Sequence, residues 1–211
     1  MKSFNHWTPR YIKNRIATLY YEKTCPNDPW LTLSANQILN SYLRKTDIGL
    51  EFGSGRSTIW IAKRVAKLTS VEHNKTWADN VREKLSNADM NNVDYRFLPI
   101  YDKETKASHT EYVRIIDEFD NFSLDFCLVD GAYREFCAMN VINKLKPAGM
   151  LIIDNVNWYL PSDSYSPNSR TMTEGPNGAI WKKVMIEISG WRQIWTSSGV
   201  TDTAFFFKPC Y

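Results

Sequence analysis

Asp47-Ile-Gly-Leu-Glu-Phe-Gly-Ser-Gly-Arg-Ser-Thr58 decides how this chain is read. A short apolar run ends in an acid, Glu51. The turn Gly53-Ser54-Gly55 follows, and then a helical pattern sets Ile59, Ala62 and Val65 on one face. Strand, tight turn, helix is the reading. The turn needs glycine because the chain reverses within a few residues and a ligand must approach its backbone. The helix start offers N–H groups to an anion. The spacing then separates two ligands. A dinucleotide turn reads G-x-G-x-x-G, but Thr58 holds the last position here. Glu51, just before the first glycine, would repel a pyrophosphate and suits a cationic amine.

Outward from this turn, strands and helices alternate. Lys67–His73 reads as a strand ending in Glu72, Lys75–Met90 as a helix with Trp77, Val81 and Leu85 on one face, and Val93–Ile100 as a third strand. Glu111–Phe119 is helical. Leu124–Val129 is an almost wholly apolar, central strand ending in Asp130. A helix over Glu135–Leu145 closes at Lys146-Pro147-Ala-Gly149, and Met150–Ile153 is a strand ending in Asp154-Asn155. A polar, Pro-rich segment (158–178), a helix over Ile180–Ser189 and strands near Arg192–Thr196 and Thr203–Lys208 complete the chain. Strict alternation predicts an α/β, Rossmann-like doubly wound sheet of seven mostly parallel strands with a final antiparallel one. Ligands of such sheets sit at the strands' carboxyl ends, where Glu51, Glu72, Asp130 and Asp154 collect. Residues 1–46 precede this pattern as an N-terminal helical cap on a single compact domain completed by 47–211. Ser34 is the expected cap of a helix over Ala35–Leu43, and the basic residues of Arg10–Tyr21 read as a solvated surface.

Composition narrows the class. With 211 residues, 43% hydrophobic, the chain can bury a sizeable core, and its eight Trp argue against disorder. A net charge of +3 is too mild to imply nucleic acid. The four Cys show no metal spacing; Cys127 and Cys137 read as buried thiols, so a reducing, cytoplasmic location is the expectation. No run reaches membrane-span length, and no membrane partner is expected.

Leu31-Thr32-Leu, Glu51 to Thr58, Ser70-Val-Glu-His-Asn74 with Trp77, Leu128-Val-Asp-Gly-Ala-Tyr-Arg134 and Leu145 to Asn155 occur in this order. Together they resemble a small bacterial-type group of class I S-adenosylmethionine (SAM) dependent methyltransferases, over about residues 30 to 155; Ser57 stands where that family's third glycine would be. The resemblance implies SAM as cofactor, Glu51 near the methionine amine, Gly53, Ser54, Gly55 and Ser57 backing the cofactor, Glu72 on the ribose, Asp130 beside it, and His73 with Ile100 to Asp102 flanking the adenine. It implies methyl transfer to a small-molecule acceptor, on oxygen, with a homodimer left open.

A narrower resemblance is to the metal-dependent catechol and caffeoyl-CoA type O-methyltransferases, in which an Asp and a later Asp-Asn pair hold a cation. Asp130, Asp154 and Asn155 match that pattern, which implies a catalytic Mg²⁺ or Mn²⁺ on oxygen ligands. The alternative is that these residues only shape turns. Arg134 either fixes an anionic substrate or pairs with Asp130. His6 and His109 read as surface residues. Segments 1–30 and 158–178, rich in aromatics, are expected over the carboxyl edge of the sheet, the second as a lid. An NAD-type oxidoreductase and a non-catalytic cofactor-binding protein are the competing readings.

Overall fold

The computed structural model describes residues 7–100 and 107–210. Two helices, α1 (Pro9–Thr24) and α2 (Leu33–Tyr42), come first. Then follow β1 (Ile48–Phe52), α3 (Arg56–Ala62), β2 (Lys67–Glu72), α4 (Lys75–Asn87), β3 (Val93–Phe97) and α5 (Glu111–Arg114). The chain continues through β4 (Leu124–Val129), α6 (Arg134–Val141), β5 (Leu145–Asp154), α7 (Gly178–Glu187), β6 (Arg192–Ser197) and β7 (Asp202–Phe207). The sheet order is β3-β2-β1-β4-β5-β7-β6. Every neighbouring pair from β3 to β5 is parallel, and β7 runs antiparallel to both β5 and β6. This is the expected doubly wound sheet. The chain steps from β1 outward to β3 and then returns to β4, so the switch point, where such sheets open a crevice, lies between β1 and β4.

The apolar run of β4 is explained by burial on both faces. Cys127 and Val129 pack with Leu50, Phe52, Val71, α6 and α7, while Phe126 and Leu128 pack with Leu39, Ile61, Leu68 and Phe205 on the other side. Gly49 is required there, since a Cβ would lie 2.0 Å from the Phe126 ring. α2 belongs to the second core through Ala35 and Leu39, whereas α1 has no buried residue.

Several boundaries differ from the sequence reading. Thr32, not Ser34, caps α2, its hydroxyl accepting from the Ala35 N–H at 3.1 Å. Only Glu111–Arg114 of the expected helix is α-helical; Ile115–Glu118 tightens to 3-10. Lys146 to Gly149 belongs to β5, because the Ala148 N–H and the Gly149 carbonyl pair with the backbone of Lys208. The core-face residues of the helix after β2 are Val81 and Leu85, both buried, with Trp77 turned toward the glycine turn instead.

Candidate active site

The carboxyl ends of β1 and β4 meet at two turns in close contact. Gly53 has φ +89°, and a Cβ there would lie 2.7 Å from the Gly131 backbone; a Cβ at Gly131 would lie 1.9 Å from the Tyr112 hydroxyl. The Asp130 N–H donates to the Phe52 carbonyl at 2.8 Å, so the two acid-bearing turns are fastened together.

Glu51 is fully buried beneath the glycine turn. Its Oε2 accepts from the Thr58 and Ser70 hydroxyls, both at 2.6 Å, while Oε1 has no hydrogen-bond partner among the described residues. Burial pushes its pKa up to about 7, although the hydroxyls of Ser57, Ser70 and Thr58 favour the charged form. An orphaned, desolvated carboxylate oxygen at this place fits a cationic amine.

Glu72 contrasts with it. Oε2 accepts from the Ser54 N–H and hydroxyl at 3.0 and 3.1 Å, and Oε1 from the N–H groups of His73 and Asn74, both at 2.8 Å. Burial raises its pKa, but these bonds and the His73 ring outweigh burial and hold it below the usual range. A ribose diol can reach this carboxylate only by replacing one of those donors. The Ser54 hydroxyl, also 2.8 Å from the Tyr95 hydroxyl, is the movable one.

Asp130, Asp154 and Asn155 are brought together, but around a guanidinium. Arg134, at the start of α6, donates through Nη2 to the Asp130 Oδ1 and carbonyl, both at 2.9 Å. Nη1 donates to the Asp154 carbonyl at 2.5 Å and to Asn155 Oδ1 at 3.1 Å, and Nε to the Gly131 carbonyl at 3.0 Å. Asn155 Nδ2 donates to the Thr201 hydroxyl at 2.6 Å, and Asp154 Oδ1 accepts from the Thr203 hydroxyl at 2.6 Å. The Asp130 and Asp154 carboxyls lie close enough for each to shift the other's ionisation. Burial, then the Asp130 charge, pushes the Asp154 carboxyl well above its usual range. Desolvation raises Asp130 as well, against the pull of Arg134.

These residues do not fit the expected divalent cation. Asp130 Oδ1 and Asn155 Oδ1 already accept from Arg134, whose charge would repel a second cation, and Asp154 Oδ1 already accepts from the Thr203 hydroxyl. Among the described residues no cluster of three His, Cys, Asp or Glu is placed to hold a metal. The same geometry answers the Arg134 alternative: every guanidinium N–H is spent on protein oxygens, so Arg134 clamps the β4 and β5 ends and has no donor left for a substrate.

Between Glu72 and Asp130 lies a cavity of about 400 Å³, lined also by Trp30, Gly53, Ser54, His73, Trp77, Gly131 and Ala132. Trp77 Nε1 donates to the Ser54 carbonyl, Trp30 stacks on Trp77 with centroids 5.9 Å apart, and Arg56 covers Trp30. Sequence reasoning missed Trp30 and Tyr95 as site residues; no local pattern points to either. Tyr101 and Asp102, expected near an adenine, and His6 lie outside the described residues, while His109 is exposed.

α1 crosses the carboxyl edge from Arg56, which donates to the Glu22 carbonyl, toward Gly199, which faces Asn14. The segment after β5 packs against the same edge through Ser166, whose hydroxyl donates to Asp202 Oδ1 at 2.6 Å. It is pinned from within by Arg170 to the Asn157 and Gly175 carbonyls, and by Asn157 to the Pro167 carbonyl.

No protein-family model matches the sequence, and no curated protein matches it. Solved structures share its fold. A methyltransferase-like protein from Silicibacter pomeroyi is 19% identical over 85% of this chain and 87% of its own, with a TM-score of 0.58. A candidate caffeoyl-CoA O-methyltransferase from Staphylococcus aureus is 15% identical over 92% and 91%, at 0.54. An rRNA methylase from Streptococcus thermophilus is 9% identical over 84% and 95%, at 0.53. The chain therefore has the class I methyltransferase fold.

Proposed function

We propose that this chain binds SAM at the β1/β4 switch point and transfers its methyl group to the oxygen of a small-molecule acceptor without a metal ion. The observation that carries the reading is Glu51: a buried carboxylate with one orphaned oxygen, directly under the glycine turn. SAM's ammonium would meet Glu51, its ribose Glu72, and its adenine the His73 side of the cavity; when bound, SAM supplies an electrophilic sulfonium methyl. Gly53 and Gly131 let the β1 and β4 turns close on each other beside it.

Asp130 is the one of the two central carboxyls that keeps exposure, about 30% of its side chain, and it lines the cavity. In this reading its ionised carboxylate would accept the proton that the acceptor hydroxyl gives up on methylation. Asp154, held by Thr203, and Asn155, held by Thr201, keep Asp130 and Arg134 in register. The acceptor side of the site is the carboxyl edge under α1 and residues 158–178. A small acceptor is preferred to RNA because the net charge of +3 is low for a nucleic-acid binder.

Glu72 favours a second reading. Its oxygens are saturated by the protein, as they would be in a protein that kept the fold without the cofactor. Calorimetry separates the two. SAM and S-adenosylhomocysteine should bind, NAD should not, and Glu51→Gln should weaken SAM at least as much as S-adenosylhomocysteine. Absence of SAM binding would sink the first reading.

A further inference from the structure

Helix α1 faces its polar side inward. Tyr11, Asn14, Thr18, Tyr21 and Glu22 are partly buried, whereas Ile12, Ile16, Leu19 and Tyr20 are exposed, Ile16 at 62% and Tyr20 at 70%. The four exposed residues fall at i, i+4, i+7 and i+8 and form one apolar stripe. Helices normally bury such a stripe on their own domain. Here polar contacts hold the helix the other way round. The Tyr21 hydroxyl donates to Asp28 at 2.5 Å and accepts from Asn36 Nδ2 at 3.1 Å, the Glu22 carbonyl accepts from Arg56, and Arg10 lies over the Tyr165 ring at 4.4 Å.

The charges around the stripe have one sign. Lys13 and Arg15 border it on either side and Lys23 continues it, all exposed, while the only acid of the helix, Glu22, sits among the inward residues. Among the described residues no helix is long and apolar enough to cross a membrane.

We propose that α1 docks the protein on an anionic lipid surface, lying in the interface with its stripe in the headgroup region and its basic borders on anionic headgroups. A second copy is a poor occupant. Two-fold packing of the stripe would set Lys13, Arg15 and Lys23 against their own copies, with no acid on that face to meet them. The exposed aromatics at this edge, Trp7, Tyr20 and Tyr165, are amphipathic rings of the kind that settle at headgroup level. Because α1 crosses the carboxyl edge, docking would turn the mouth of the site toward the bilayer. The proposal stands apart from the methyltransferase reading and is tested without it.

The test is sedimentation of the full chain with vesicles of phosphatidylcholine alone or mixed with phosphatidylglycerol. Binding is expected only with phosphatidylglycerol and should fall as salt rises. Ile16→Asp with Tyr20→Asp, both at exposed positions, should lower the partition coefficient about tenfold or more. Lys13→Gln with Arg15→Gln and Lys23→Gln should lower it roughly hundredfold, the sum of three surface charges. No binding to the anionic vesicles, equal binding to neutral ones, or binding indifferent to both variants would overturn the proposal. So would analytical ultracentrifugation showing a dimer that Ile16→Asp dissolves, without vesicle binding; the stripe would then belong to a second copy.

Discussion

Arg134→Ala removes the guanidinium that Asp130, Gly131, Asp154 and Asn155 share. Its side chain is 13% exposed and that of Asp130 30%, so the lost pair is mostly but not wholly desolvated. Breaking one partner of a buried ion pair costs 3–5 kcal/mol, and the exposure of Asp130 places this site at the low end, about 3 kcal/mol. For a chain of this size that lowers Tm by roughly 6–12 °C. Water or a cation would then fill the space between three oxygen-bearing side chains. The variant should therefore acquire one Mn²⁺ site, seen by electron paramagnetic resonance, with a matching rise in Tm on adding Mn²⁺. Arg134→Lys, which keeps a charge there, should acquire none. Wild-type protein that binds one Mn²⁺, with binding lost in Asp130→Asn, would refute the reasoning. So would a folded Arg134→Ala protein that binds none. If Arg134→Ala does not fold even with Mn²⁺, the wild-type titration decides alone.

Glu51 has a folded pKa near 7, above the ordinary 4.5. Its burial therefore leaves stability intact below about pH 4.5 and removes about 3 kcal/mol as pH rises through 7. Glu51→Gln should raise the Tm of the ligand-free protein at pH 8 and change it little at pH 4.5; equal shifts at both would contradict the assignment. SAM should bind more weakly as pH falls below 7, with proton release detected as a buffer-dependent binding enthalpy; a pH-independent affinity would remove Glu51 from the amine site. Glu72→Gln should weaken SAM by about 1–3 kcal/mol, whereas Ser54→Ala should change it less, because the Ser54 hydroxyl is the group that yields to the ribose; the reverse order would overturn that exchange. Methyl transfer, once an acceptor is found, should persist in EDTA, and loss restored by Mg²⁺ would reinstate a metal. Hydrogen exchange with S-adenosylhomocysteine should change little at Asn157 and Arg170, which are pinned to their own segment, and more at 160–165; uniform protection of 158–178 in both states would make it a fixed wall.

The sheet was legible because its signals are local and physical. An apolar run with no polar face, Leu124–Val129, has no place but a strand buried on both sides, and Cys127 and Phe126 do point to opposite cores. The glycine turn was legible because two backbones meet there and a side chain would collide. Boundaries failed where two residues offer the same chemistry. Thr32 and Ser34 can each cap a helix; the burial of Leu31, Ala35 and Leu39 selects Thr32, and burial is a property of the whole fold. Lys146-Pro147-Ala-Gly149 reads as a helix stop, yet its backbone pairs with Lys208, more than fifty residues later in the chain. Trp30 was missed for the same reason: it reaches the site by stacking on Trp77 from a different element.

The central acids show where a sequence pattern stops deciding chemistry. Asp130, Asp154 and Asn155 occupy the positions that a metal-binding pattern requires, and the sheet does bring them together. A cation at such a place answers uncompensated negative charge, and here that charge has already been answered twice. Asp154 is pushed toward its protonated form because burial and its neighbour Asp130 make the ionised form costly. Asp130 is met by Arg134, four residues on across the turn that leads into α6, close enough that the pairing was foreseeable. What could not be foreseen is that the same guanidinium also reaches the carbonyls of Asp130, Gly131 and Asp154, since those oxygens carry no mark in the sequence. They exhaust its donors, and that exhaustion turns a residue able to grip a substrate into the resident cation of the site.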